Sequence, residues 1–294
     1  MTAPLSGLLS RIAPLLFVVL WSTGFVGSRM GAPYSEPMAF LTLRFGSVLL
    51  LLLVISLVQR ARWPNPRQGF HAFVSGFLIH GLYLSGVFWA IDDGMPAGLF
   101  ALMTGLQPVL TAFFAHLLLS ERITRNHALG FILGLVGISM VLLPRLSAGA
   151  FSVTPIQILV SLVAVTAISF GTVYQKRFAA NLDMRTATIW QYCAAALFCG
   201  GLSLLTESQT IIWSPDFIFA LAWLVLVLSI GAIFLLLWLI EQGAVSNTAS
   251  LFYLVPAVTA TISYLLFAEP ITPMQVLGMI VTALGVILAS RRKA

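Results

Sequence analysis

At 294 residues, 60% hydrophobic and only 8% charged, with a mean hydropathy of +1.02, the chain has too little polar surface for a water-soluble globule and reads as an integral membrane protein. The net charge of +6 comes from basic residues in short segments between apolar runs, a pattern of membrane topology rather than of a nucleic-acid-binding surface. Cys193 and Cys199 share one apolar stretch without metal-ligand spacing and are read as packing residues, so no metal or cofactor is expected.

Apolar windows of about 20 residues, the length that crosses a bilayer, fall at roughly 12–28, 37–58, 70–91, 96–119 and 126–143, then at roughly 155–175, 185–205, 217–239, 245–267 and 273–290. The expectation is an all-α integral membrane protein of ten transmembrane helices. Pro37, Pro96, Pro155 and Pro273 lie near segment starts, where a missing amide hydrogen costs least. Arg11 precedes the first run without a small-residue cleavage site, so that run is read as a retained helix rather than a signal peptide.

The sequence repeats itself. At a constant offset of 148 residues Pro108 matches Pro256, Thr111 Thr259, Ala112 Ala260, Leu118 Leu266, Glu121 Glu269, Gly130 Gly278 and Gly137 Gly285. Upstream the offset becomes 149, pairing Trp89 with Trp238, Asp92 with Glu241 and Gly94 with Gly243. Two halves of five spans are therefore expected, residues 1–148 and 149–294, and an odd number of spans per half inverts the second copy in the membrane. Inverted halves can exchange conformations and open a central cavity to either side in turn, which points to a transporter.

With the N-terminus in the cytoplasm, 12 of the 15 lysines and arginines fall on the inner side, Arg29 and Arg145 fall outside, and Arg44 lies within a span. The positive-inside rule then puts both termini in the cytoplasm.

Several intramembrane residues are candidates for function. Pro108, near Gly98 and Gly105, and Pro256 interrupt the fourth and ninth helices at matching positions, which marks either a midplane site or hinge, or a packing kink. Arg44 sits about 10 Å along its helix from Pro37 at about 1.5 Å per residue, and could hold a substrate carboxylate or tie helices together. His80 and Tyr83 are one helical turn apart and could line a cavity or be satisfied in the core. Gln107, Trp190 beside Gln191, and Tyr253 are further cavity candidates, and Trp21, Tyr174 and Trp238 complete an aromatic set. Trp213 and Trp223 are read as interfacial belt residues. Gly130, Gly134 and Gly137, answered by Gly278 and Gly285, have spacings that let helices approach closely within or between bundles, which leaves monomer or homodimer open.

Taken together, Trp21-Ser22-Thr23-Gly24-Phe25 in the first helix, Arg44 in the second, and a proline followed by a terminal glutamate in the fourth and ninth (Pro108 with Glu121, Pro256 with Glu269) resemble the drug/metabolite transporter superfamily, EamA type. The resemblance covers the whole chain and is nearest to bacterial amino-acid exporters of the YddG type. It implies two five-helix repeats, location in the bacterial inner membrane and export of small molecules. It also implies a structural or gating role for Arg44, because members with different substrates keep an arginine there. Gly24 and Ser28 depart from the polar and small residues that relatives often show, so contacts in the first helix do not carry over.

Aromatic walls with a few hydroxyl, amide and imidazole groups suit a small amphipathic solute such as a neutral or aromatic amino acid. A multidrug or other-metabolite exporter of the same fold is the alternative, although no acidic residue lies deep in a span to meet a permanent cation. An intramembrane enzyme is a weaker alternative, since the chain has no HExxH, GxSxG or phosphate-cradling glycine loop. Asp92, Asp93, Glu121, Glu241 and Glu269 fall near span ends, leaving His80 as the mid-span group able to titrate near neutral pH, so transport down the substrate gradient with weak pH dependence is expected.

Overall fold

The computed structural model describes residues 7–95, 100, 103–146, 153–242, 245–267 and 271–290. Pro96, Gly98, Gly243 and Glu269 lie outside the described residues. The described chain is helical apart from turns and an isolated antiparallel bridge between Ser35 and Ile211.

In chain order the helices are α1 (Gly7–Gly31), α2 (Pro37–Val58), α3 (Pro66–Asp92), α4 (Gln107–Leu119), α5 (Arg125–Leu146), α6 (Pro155–Phe178), α7 (Met184–Thr206) and α8 (Pro215–Gln242). A helical turn Val245–Ser250 and a tighter turn Leu251–Leu254 then lead into α9 (Val255–Phe267), and α10 (Pro273–Ser290) follows. Among the described residues six stretches are long and apolar enough to cross a membrane: α2, α3, α6, α7, α8 and Thr248–Leu266. Shorter apolar helices lie at Ile12–Gly24, Gln107–Leu119, Arg125–Val141 and Pro273–Ala289. Side chains such as Leu57, Val58, Leu205 and Leu265 stand exposed on the outside, where lipid replaces water as their solvent.

Local chemistry sets where the helices start. Pro37, Pro66, Pro155 and Pro215 occupy the first turn of their helices, where the absent amide hydrogen has no partner to lose. Asn65 with Gln68 and Thr154 with Gln157 form reciprocal capping boxes. Thr124 with His127 and Thr272 with Gln275 repeat this exchange at the starts of α5 and α10. Glu207, at the end of α7, accepts from the backbone amides of Met38 and Ala39 at 2.7 Å each, placing a carboxylate at the positive end of α2.

The packing of one half is answered by the other. Helix α3 packs on α6 and α7, and α8 packs on α1 and α2; α4 lies on α6 as α9 lies on α1. Two pairs join like with like, α2 with α7 and α5 with α10. In the second pair a Cβ on Gly130 would fall 2.6 Å from the Gly285 carbonyl oxygen, and one on Gly137 would fall 2.7 Å from that of Gly278. The crossed order of these contacts makes α5 and α10 antiparallel, with backbones touching along a glycine seam.

Helices α3 and α8 each contain a widened turn, at Phe77–Leu82 and Leu224–Ala232. There the amide of Tyr83 donates to Leu78 and that of Ile233 to Leu228, five residues back rather than four. His80 and Ser229, one in each turn, are separated by the same 149 residues as Trp89 and Trp238.

Pro108 and Pro256 do not kink continuous helices. A turn at Gly105–Leu106 precedes Gln107, and the Leu251–Leu254 turn precedes Val255, so each proline sits in the first turn of a restarted helix. The backbone breaks just before the proline because that is where proline forfeits no hydrogen bond.

Candidate functional site

Where α4 and the entry to α9 restart, their ends meet α6 and α8 around a narrow cleft of about 10 Å³, room for about one water molecule, lined by Gln107, Thr172, Leu236, Ile240, Thr248, Ala249 and Phe252. None of these lining residues is charged. Gln107 is buried, and its Oε1 finds no hydrogen-bond partner among the described residues; the same holds for Thr111 Oγ1 one turn along α4. The Thr172 hydroxyl is committed to the Ser169 carbonyl at 3.0 Å, and the Ser169 hydroxyl reaches both Val165 and the Gln107 carbonyl. An amide oxygen left unsatisfied in a dry interior costs about 1–3 kcal/mol, so Gln107 presents an acceptor waiting for a donor.

Behind Phe252 stands an aromatic group. Phe17, Trp21 and Phe252 pack with ring centroids 5.1–5.4 Å apart, Trp21 meeting Phe252 edge to face. Ser22 on the same helix donates to Val18 and to the Val255 carbonyl, holding α1 against the start of α9.

A second buried polar group lies where α2, α3, α7 and α8 cross. Arg44 Nε donates to Ser229 Oγ at 2.8 Å, and Tyr192 OH donates to the Ser229 carbonyl at 2.7 Å. The Tyr192 ring stacks with His80, at 4.7 Å, and with Phe45, at 5.5 Å. His80 is 2% exposed, and its Nε2 has no partner among the described residues. Next to this group Gln191 donates to Ser75 on α3 and to Gln175 on α6.

The sequence candidates are distributed over several places. Gln107 lines the cavity, and Trp21 backs its wall. Arg44 and His80 belong to the second group, while Tyr83 packs in the main core with Trp21 and Phe40. His80 and Tyr83 diverge because the widened turn breaks the periodicity that aligns residues three apart. Tyr174 binds His71 Nδ1 at 2.6 Å near the end of the bundle that carries Arg67, Lys176 and Arg177. Trp190 is 37% exposed and covers Gly69 at the start of α3. Tyr253 lies over Gly134 in a separate core with Phe131 and Val286, its neighbour Phe252 taking the cavity side. Glu121 closes the α4–α5 turn, where its carbonyl meets His116 Nδ1 at 3.0 Å. Sequence reasoning missed Thr172, Thr248, Phe252, Tyr192 and Ser229, all of them defined by partners far away in the chain.

The EamA-like transporter family model matches the chain twice, over residues 9–143 and 155–291. The chain is similar to "Uncharacterized transporter YvbV" of Bacillus subtilis, 28% identical with 96% of this chain and 92% of that protein covered. It is 26% identical to the "Probable amino-acid metabolite efflux pump" of Salmonella typhimurium, covering 92% and 91%, and 24% identical to "Uncharacterized inner membrane transporter YedA" of Escherichia coli, covering 94% and 88%. A solved crystal structure shares the fold at a TM-score of 0.79 and 21% identity, with 95% of both chains covered. A helical membrane chain matched over both halves by one transporter family is a member of it: the protein belongs to the EamA-like transporter family, within the drug/metabolite transporter superfamily.

Proposed function

We propose that this transporter exports neutral amino acids, aromatic ones included, or related small metabolites across the bacterial inner membrane by alternating access. The working unit is ten spans in two inverted halves, residues 1–148 and 149–294, with both termini in the cytoplasm. The observation that carries the reading is the uncharged cleft at the junction of α4, α6, α8 and the start of α9, lined by Gln107, whose side-chain oxygen has no partner among the described residues, together with threonines, aliphatic side chains and Phe252. A site of that kind accepts a solute with one or two polar groups and an apolar body. The cavity is small, so the described state is a closed one with respect to an amino acid.

The antiparallel glycine seam and the reciprocal packing of α3 and α8 support the inverted halves. Basic residues support the orientation: Thr186 Oγ donates to the Arg62 carbonyl and Tyr174 joins His71, bringing Arg62, Arg67, Lys176, Arg177 and Arg185 to one end of the bundle. The description of the Salmonella relative as a probable amino-acid metabolite efflux pump supports the substrate class.

Counterflow tests the proposal. Proteoliposomes preloaded with a mixed unlabelled amino-acid pool should accumulate labelled phenylalanine, threonine or methionine above protein-free liposomes. Suppression by one unlabelled amino acid identifies the preferred substrate; no accumulation by folded protein removes the amino-acid reading and leaves other metabolites or drugs.

A further inference from the structure

Arg44 is 3% exposed in the middle of α2, and a guanidinium there remains charged. Among the described residues its one hydrogen bond is from Nε to the neutral hydroxyl of Ser229, and the described ion pair of the chain, Arg185 with Asp183, lies elsewhere. Among the described residues the two terminal amino groups have no hydrogen-bond acceptor. Phe45, whose ring centroid lies 5.7 Å from the guanidinium carbon, supplies an aromatic face but no hydrogen-bond acceptor or counter-charge.

His80 meets the same place from α3. Its ring is stacked on Tyr192 and lies 6.2 Å from the Phe45 ring, so Phe45 touches both cationic and imidazole groups. Nε2 is buried and makes no close hydrogen bond among the described residues, and the Gln191 side chain, whose Oε1 is likewise unpartnered, lies beside it as a competing acceptor. A fixed positive charge and a row of unused donors in a dry interior call for an anion with in-plane oxygens. A carboxylate matches the guanidinium fork through two parallel hydrogen bonds, which a spherical anion cannot do.

We propose that Arg44 and His80 form a carboxylate-binding site at the crossing of α2, α3, α7 and α8, distinct from the Gln107 cavity. Arg44 uses its Nε edge to brace α8 through Ser229 and its terminal amino groups to hold the carboxylate, with His80 Nε2 donating a further hydrogen bond. On α3, Ile79, next to His80 in sequence, packs against Gly171, which precedes the cleft residue Thr172 on α6. Assigning the carboxylate to the transported solute rests on the export reading above; the binding site itself does not.

The test uses the purified full chain in detergent and reads thermal stability against ligand concentration at matched ionic strength. Propionate and 3-phenylpropionate are the probes, with propionamide and 3-phenylpropionamide as isosteric neutral controls. The carboxylates should bind about 10- to 100-fold tighter than the amides, the range expected for charge-assisted hydrogen bonds. Arg44→Gln should abolish that preference, and His80→Gln should weaken it by about 3- to 10-fold. Equal binding of acid and amide by the unaltered protein, or equal stabilisation by chloride, would overturn the proposal without recourse to a variant. Retention of the acid preference by folded Arg44→Gln protein would do so as well. Counterflow separates this proposal from the export reading. Carboxylate binding without amino-acid counterflow leaves the site standing and removes amino-acid export, whereas counterflow in which amino-acid methyl esters exchange as well as the acids overturns the assignment of the carboxylate to the solute and leaves export standing.

Discussion

Gly130 and Gly285 face each other so closely that a Cβ on the first would stand 2.6 Å from the carbonyl oxygen of the second, and the reverse approach is 2.8 Å. The obstacle is backbone on both sides, so no rotamer change relieves it. Gly130→Ala should therefore destabilise the protein by about 1–3 kcal/mol, the range of core overpacking. Gly46→Ala and Gly201→Ala, helical positions where nothing lies within 4 Å of the added carbon, should be as stable as the parent or more stable by up to about 1 kcal/mol. Thermal unfolding in detergent distinguishes them, and equal midpoints for all three variants would contradict the seam.

Gln107→Leu should separate stability from transport. Removing a buried oxygen that has no partner relieves a desolvation penalty, so the variant should be as stable as the parent or more stable by up to about 1–2 kcal/mol. Counterflow should fall about tenfold or more, the effect of losing one hydrogen bond of about 1.4 kcal/mol to the solute. A variant that is stable and fully active would take Gln107 out of the site.

Ser229→Ala should cost more than a surface serine would. It leaves Arg44 Nε unpaired in the interior, a loss of about 1.5–3 kcal/mol for a hydrogen bond to a charged group. Tyr192→Phe should cost about 1 kcal/mol, the value for one buried hydrogen bond to a carbonyl. If the two losses are equal, the guanidinium has another acceptor.

At the basic end, Asp183 caps α7 by accepting from the Arg185 amide and side chain, and the Arg185 hydrogen bond holds its carboxyl below the ordinary aspartate range. A lowered folded-state value means that the contribution is present above about pH 4 and is lost as the pH falls through the folded value. Asp183→Asn should thus lower the unfolding midpoint at about pH 6 and converge on the parent as the pH falls through the folded-state value. A pH-independent difference would show that the charge is not what matters.

Orientation can be read chemically. With both termini inside, Arg62→Cys should react with an impermeant maleimide only after cells are opened, whereas Trp213→Cys, on an exposed residue at the opposite end, should react in intact cells. Both are made in a background with Cys193 and Cys199 replaced. The reverse pattern would invert the proposed topology.

Much of the helix plan was legible because prolines and caps are local signals. Pro37, Pro155 and Pro273 open helices where the sequence reading puts them. The glycine seam was legible as spacing, though not as the crossed pairing of Gly130 with Gly285 and Gly137 with Gly278. The site was less readable for two reasons. The tight turn at Leu251–Leu254 shifts the face, giving Phe252 to the cavity and Tyr253 to the α5 side, which a uniform 3.6-residue period cannot foresee. Tyr192 and Ser229 owe their importance to Arg44 and His80 on other helices, and a lone tyrosine or serine in an apolar run carries no mark of such partners.

The widened turns at Phe77–Leu82 and Leu224–Ala232 each accommodate what amounts to one surplus residue within an otherwise regular helix. Excising one residue from either turn would let the hydrogen bonds close four residues back instead of five, leaving a regular helix whose flanks keep their phase, so Tyr83 and Val87, or Leu236 and Ile240, would keep the core they now fill. What would be lost is the wide turn itself and the placement of the residue it carries, His80 in one helix and Ser229 in the other. The fold should thus tolerate a single-residue deletion at these two places far better than the same deletion elsewhere along α3 or α8, where each residue removed turns the remainder of the helix by about 100°.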